Sequence, residues 1–206
     1  MGEPERSLDI ISAYFVPGPD GARALADLKA AGVAVRVLTN AWEATDVPLV
    51  HAGYLRSRPF LLERGVELFD LRATAAMAGP AEAGVELASL NPFGASTASL
   101  HAKTMVWGGA RVFVGSFNFD QRSARLNTEM GMLVESPAMA RATSAMLDGV
   151  APGDAYRVER GEDGSPVSIG TDADGQEVRI APEPGTTALV RLGLWAVGLL
   201  PIEWML

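Results

Sequence analysis

The sequence predicts an α/β protein, a mixed, mostly parallel sheet flanked by helices, and three observations predict it. Short β-branched runs alternate with Ala- and Leu-rich stretches over residues 8–71, giving a βαβα order whose strands lie parallel through right-handed crossovers. Two helix patterns each close on a glycine, Gly32 and Gly65, the residue that most readily ends a helix. Gly108-Gly109 separates two further strand patterns and is a hairpin signal, which adds antiparallel strands to the parallel start.

In chain order, Leu8 to Phe15 is a strand pattern ending in Pro17-Gly18-Pro19. Asp20 to Ala31 is a helix, Val33 to Leu38 a second strand, and Thr39 to Pro48 a loop. His51 to Arg64 is a helix in which Pro59 is a potential kink, and Val66 to Leu71 a third strand. Residues 73–98 hold no sustained period and are either an active-site lid or a plain connection. Ser99 to Trp107, Arg111 to Val114 and Thr128 to Val134 are strand patterns. Ser136-Pro137 has the chemistry of an N-cap and first helical position, opening a helix to Asp148. Tyr156 to Ile180 alternates around glycines, which suggests a small β-hairpin appendage.

The domain organisation expected is therefore 1–150 as the main unit, 151–185 as the appendage and 186–206 as an apolar tail. The tail is interrupted by Arg191, Pro201 and Glu203, whereas a bilayer span needs about 20 predominantly apolar residues. It either lies in a membrane interface, with Trp195 and Trp204 at headgroup level, or packs on protein.

Composition narrows the function. With 48% hydrophobic and 20% charged residues in 206, the chain is globular and long enough for a sizeable core. A formal net charge of −8 opposes a nucleic-acid backbone as preferred ligand. Cysteine is absent, which excludes disulfide and thiolate chemistry, and two histidines with no cysteine give no metal-ligand spacing. No metal or other cofactor is expected. Residues 1–6 lack the basic and apolar regions of a secretory signal, so a cytoplasmic location is expected.

The chemistry concentrates between Leu100 and Glu129. Residues two apart in a strand share a face, so a strand from Ser99 would project His101 and Lys103 together. An imidazole would then stand beside an ammonium able to hold a phosphate oxygen. The Gly108-Gly109 hairpin brings Ser116 and Asn118 back beside them, with a hydroxyl and an amide for an oxyanion. Gly115 allows a sharp turn at the strand end. Glu129 opens the third strand pattern, where its carboxylate either orients the imidazole or pairs with Arg122 or Arg125. His51 heads a helix and is the other histidine that a site or a substrate contact would use. Tyr14 either lines the pocket or packs.

His101-x-Lys103 followed by Gly115-Ser116, Asn118 and Glu129 resembles the phospholipase D superfamily, and most nearly its bacterial cardiolipin synthases. The run Gly115-Ser116-Phe117-Asn118-Phe119-Asp120-Gln121-Arg122-Ser123 is similar to their second catalytic motif almost residue for residue, and the likeness extends upstream through Thr39-Asn40 and Thr45-Asp46. Two departures stand out: the motif Asp five residues after the Lys is Gly108 here, and the chain carries one motif where family enzymes use two. The resemblance implies one half-unit of the fold and a phosphatidyltransferase acting on phospholipids. In it His101 attacks phosphorus while Lys103 and Asn118 neutralise phosphate oxygens. It also implies a second histidine from a homodimer mate or from a separate N-terminal half, and peripheral contact with the inner membrane. The alternatives are a one-motif phosphodiesterase or nuclease, and a non-catalytic C-terminal half of a split or truncated enzyme.

Overall fold

A computed structural model describes residues 6–74, 99–150, 153–172, 174–180 and 183–200. The active-site-lid reading of 73–98 falls almost wholly outside these residues.

At the centre lie three parallel strands, β1 (Ser7–Ser12), β3 (Ala34–Asn40) and β4 (Glu67–Leu71), linked by the helices α1 (Gly18–Ala30) and α2 (Pro48–Glu63). Leu8, Ile10, Val35, Val37 and Leu68 bury one face against Ala22, Leu25, Tyr54 and Leu61 of those helices. Strands buried on both faces need apolar residues at consecutive positions, and Ile10-Ile11 and Val37-Leu38 supply them. On the other face α4 (Pro137–Asp148) buries Ala140 and Leu147, the first against Val106 and Val112. Ser136 caps α4 as its sequence implies, its side chain accepting from Met139 N at 3.2 Å.

Antiparallel strands extend the sheet in both directions. β5 (Lys103–Trp107) pairs with β1, β6 (Arg111–Gly115) with β5, and β8 (Gly131–Glu135) with β6. On the far side β9 (Ala155–Arg160), β10 (Pro166–Thr171) and β11 (Glu177–Ile180) continue from β4. The stretch expected as one hairpin is thus a three-stranded meander, because turns fall at both Gly164 and Gly175, each with positive φ. Among the described residues the main sheet has nine strands in the order β11-β10-β9-β4-β3-β1-β5-β6-β8. Within this sheet, parallel pairing is confined to β4-β3-β1.

Several element ends differ from the sequence reading. The strand expected over 8–15 breaks after Ser12, whose hydroxyl donates to Tyr14 O at 2.7 Å and accepts from Phe119 N at 3.0 Å. The chain bends there and resumes as β2 (Phe15–Val16), which pairs with β7 (Phe119–Asp120) in a second small sheet. β3 runs on through Thr39 and Asn40, which were expected in a loop, because β4 pairs them with Asp70 and Leu71. α2 starts at Pro48 rather than His51, the proline taking the first turn where a missing N–H costs nothing, and it continues through Pro59. A short helix, α3 (Gln121–Arg125), follows β7, capped by Asp120, whose Oδ1 accepts from Ser123 N at 2.6 Å. The last described helix, α5 (Ala188–Gly198), rests on α2.

Candidate active site

The sheet register builds the site. Ser12 of β1 stands opposite Lys103 of β5, and Gly115 of β6 opposite Gly131 of β8. These positions end their strands on the same side, so the segments leaving them converge. One step beyond, Ala13 N donates to Ala102 O at 3.0 Å and Ser116 N to Met130 O at 2.8 Å.

His101 lies just outside the strand expected to hold it, since β5 begins at Lys103. Its position is fixed from the neighbouring residue. The Asn40 amide accepts from Leu100 N at 2.8 Å and donates to Leu100 O at 3.0 Å, and it also donates to Ala13 O at 3.2 Å. This buried side chain acts as a surrogate strand for the residue before His101. The His101 side chain is exposed and close enough in sequence to Lys103 that the Lys103 ammonium donates to His101 O at 3.2 Å.

Lys103 is half-buried, with its Nζ 6.0 Å from the centroid of the Tyr14 ring. Burial lowers its pKa, while the carboxylates of Glu129, Asp120 and Asp46 act against that shift. Tyr14 does more than pack: its hydroxyl donates to both oxygens of Asp46 at 3.0 Å. Burial and this carboxylate push the phenol up to about 12, so it stays protonated.

Ser116 and Glu129 form the opposite wall. The Ser116 hydroxyl donates to Glu129 Oε2 and accepts from Met130 N at 3.0 Å, and Asn127 Nδ2 donates to Glu129 Oε1 at 3.1 Å. The Ser116 hydrogen bond above all, with those of Asn127 and Ser123 and the charge of Lys103, holds this carboxyl below its usual range. Glu129 is therefore an anion facing the Lys103 ammonium. Neither reading of Glu129 from sequence describes it. Among the described residues no hydrogen bond reaches the His101 ring, and Arg122 and Arg125 turn instead to Asn127 Oδ1 and Asp20, because α3 carries them away.

Asn118 is buried, and its Oδ1 has no hydrogen-bond partner among the described residues. A buried amide without a partner costs roughly 1–3 kcal/mol, which is tolerated where a ligand supplies the missing bond. Rotation about the terminal torsion presents either the amide oxygen or the amide N–H groups to that ligand. Gly115 does not turn sharply; its φ is not positive. Its reason is closeness, since a Cβ there would lie 2.4 Å from Met130 O and 2.8 Å from Phe113.

His51 is the clear correction. Because α2 starts early, His51 falls on its inner side, 2% exposed, with the Trp42 and Tyr54 rings edge-on at 5.7 and 5.9 Å. Its Nε2 meets Glu183 Oε1 at 2.8 Å. Arg58 joins Glu183 at 2.6 Å and Asp70 at 3.1 Å, and Tyr54 donates to Asp70 at 2.8 Å. This buried network ties α2 and β4 to the segment before α5, and it gives His51 no open face for a substrate. Asn40, Asp46, Asp120 and Ser12 are the site-forming residues that sequence chemistry alone did not single out. Their signal was the likeness of Thr39-Asn40, Thr45-Asp46 and Asp120 to the family pattern.

Residues 1–150 match the family described as "Cardiolipin synthase, PLD-like domain". Over its whole length the chain is 39% identical to cardiolipin synthase C of Escherichia coli K12, of which it covers 42%. An uncharacterized protein of Helicobacter pylori J99 is 30% identical over 135 residues, 66% of this chain and 25% of its own. Among solved structures, Nuc, a phospholipase D family member from Salmonella typhimurium, superposes with a TM-score of 0.53 at 18% identity, over 76% of this chain and 84% of its own. Phosphatidylserine synthase of Haemophilus influenzae gives 0.50 at 14% identity, over 75% and 34%. These two likenesses show the fold, a phospholipase D-type α/β sheet. The chain spans less than half the length of cardiolipin synthase C.

Proposed function

Since the chain belongs to the cardiolipin synthase family of phospholipase D-like domains, we propose that it carries one half of a phosphatidyltransferase site and that His101 is its nucleophile. The observation that supports this reading is that an exposed imidazole, a half-buried ammonium, a hydroxyl–carboxylate pair and a buried amide whose Oδ1 is unpartnered among the described residues lie on segments leaving one end of the sheet.

His101 attacks the phosphorus of a phospholipid such as phosphatidylglycerol. The N–P bond forms as the P–O bond to the headgroup breaks, and an imidazolium on a second unit gives its proton to the leaving oxygen. An acceptor hydroxyl then attacks phosphorus, its proton returns to the second imidazole, and the N–P bond breaks. With phosphatidylglycerol as acceptor the product is cardiolipin; with water it is phosphatidic acid. Lys103 and the Asn118 amide stabilise the equatorial oxygens, as preorganised donors do where charge gathers. Glu129 and Asp46 hold the charged Lys103 in place through their field.

His51 cannot serve as the second histidine from its buried position, so that group comes from a second copy or from a separate N-terminal half. The surface beside Ser116 and Glu129 suits such a partner. Leu126, Met130 and Met132 are 60%, 82% and 68% exposed, an apolar margin that monomers rarely leave open. The location proposed is the cytoplasmic side of the inner membrane, in peripheral contact.

Turnover of phosphatidylglycerol vesicles by the purified chain, with molecular mass recorded on the same sample, tests the reading. We expect activity in a dimer, or in a mixture with the N-terminal half, and its loss by at least about a thousandfold in His101→Ala. Activity retained in His101→Ala would refute it.

A further inference from the structure

A helix lying on a globular body ordinarily keeps an apolar stripe inward and polar side chains outward. α5 does not. Its inner side rests on α2 with Leu194 buried, yet Leu189, Leu192, Trp195, Leu199 and Leu200 are 50–78% exposed. Leu189, Leu192, Trp195 and the C-cap Leu199, spaced by three and four residues, share one outward face, and Leu200 follows directly after it. Between residues 184 and 202 the sequence has no carboxylate and one charged residue, Arg191, in a chain of net charge −8. Arg191 stands at the edge of the apolar face, with its guanidinium donating to Thr186 O at 2.9 Å.

We propose that this face of α5 seats in the interfacial layer of an anionic phospholipid bilayer, with Trp195 and the leucines inserted and Arg191 at the phosphates. The inference builds on the lipid reading above but uses a surface apart from His101. Two observations favour a bilayer over a second copy of the chain. An 11-residue helix is only about 16 Å long and, with side chains, about 10 Å wide, well short of the roughly 800 Å² per partner of a stable protein interface. A bilayer, by contrast, needs only one apolar face with a cationic edge and a tryptophan at the boundary.

The placement also has a consequence for access. A Cβ at Gly185, just before α5, would lie 3.1 Å from Glu43 Oε2 and 3.7 Å from Trp42 Cδ1. Those residues belong to the 3₁₀ turn Trp42–Ala44, which leads into Asp46, the partner of Tyr14 beside Lys103. The start of the lipid-seated helix and the rim of the site are therefore joined by one short turn.

Flotation of the full chain with vesicles tests this. Vesicles of phosphatidylglycerol mixed with phosphatidylcholine should bind the chain, and phosphatidylcholine alone should bind it less. Leu192→Asp/Trp195→Asp should weaken binding at least about tenfold with the circular dichroism of the native chain, since a charged residue at the apolar boundary costs more than one such factor. Trp195→Phe should keep binding while losing most of the vesicle-dependent blue shift in tryptophan fluorescence. His101→Ala should bind as the native chain does, so that loss of turnover and loss of binding separate. Unchanged binding in the double Asp variant would overturn the proposal. So would an oligomer that the same variant splits into monomers without altering vesicle binding, which assigns the face to a second copy. Binding intact in a chain that shows no turnover either as a dimer or mixed with the N-terminal half would refute the catalytic reading and support this one.

Discussion

The Asn40 amide makes three buried hydrogen bonds, two of them to the backbone of Leu100, and so fixes the residue next to His101 from sixty positions upstream. Asn40→Ala leaves those backbone groups without partners in a buried setting. We expect a loss of about 2–4 kcal/mol in urea unfolding, faster amide exchange at Leu100, and reduced phospholipid turnover where the variant is still folded. Asn40→Asp keeps the acceptor for Leu100 N and should protect that amide partly. A second prediction concerns Glu129. The Ser116 hydroxyl is the foremost influence holding its carboxyl low, so Ser116→Ala should raise the Glu129 pKa toward its ordinary value. Protonation then begins at higher pH, which a carbon-13 carboxylate titration reads directly; an unmoved titration would deny the bond its role. At this scale the sequence displayed the chemistry and hid the wiring. The proposed site residues His101, Lys103, Ser116, Asn118 and Glu129 were legible as candidates by residue type and spacing. The partners of Glu129 were not, because a five-residue helix redirects Arg122 and Arg125.

Among the elements, β6 lays the Phe113 ring over Gly131 of β8. A Cβ at Gly131 would fall 2.3 Å from two ring carbons of Phe113, so the Phe113 ring occupies the space that a side chain there would take. Gly131→Ala forces that ring aside at a cost of about 1–3 kcal/mol, and it displaces Ser116 and Glu129, which leave the same two strands. A lowered Tm together with reduced turnover is expected; a native Tm would contradict the packing. The Gly108-Gly109 turn, by contrast, was legible outright. Both residues have positive φ, 56° and 66°, and Ala110 N closes the turn on Trp107 O at 3.0 Å. Strand ends were less legible than strand existence. Ser12 and Asn40 use side chains to bend or extend a strand, and such bonds join residues far apart in sequence, where local periodicity carries no trace of them.

For the molecule as a whole, the parallel centre was visible in the βαβα order, while the side on which β9–β11 join the sheet was not, since pairing with β4 is a long-range choice. The buried His51–Glu183–Arg58–Asp70 network was equally invisible, and it turned the second histidine from a site candidate into a strut holding the segment before α5. The remaining whole-molecule question is whether His101 is the covalent partner of the phosphatidyl group in an assembled site. Peptide mass spectrometry on a sample of known molecular mass, quenched during incubation with phosphatidylglycerol vesicles and kept alkaline to preserve N–P bonds, answers it most directly. A phosphatidyl adduct is expected on the peptide carrying His101, and none in His101→Ala. An adduct on any other residue, or turnover persisting in His101→Ala, would contradict it.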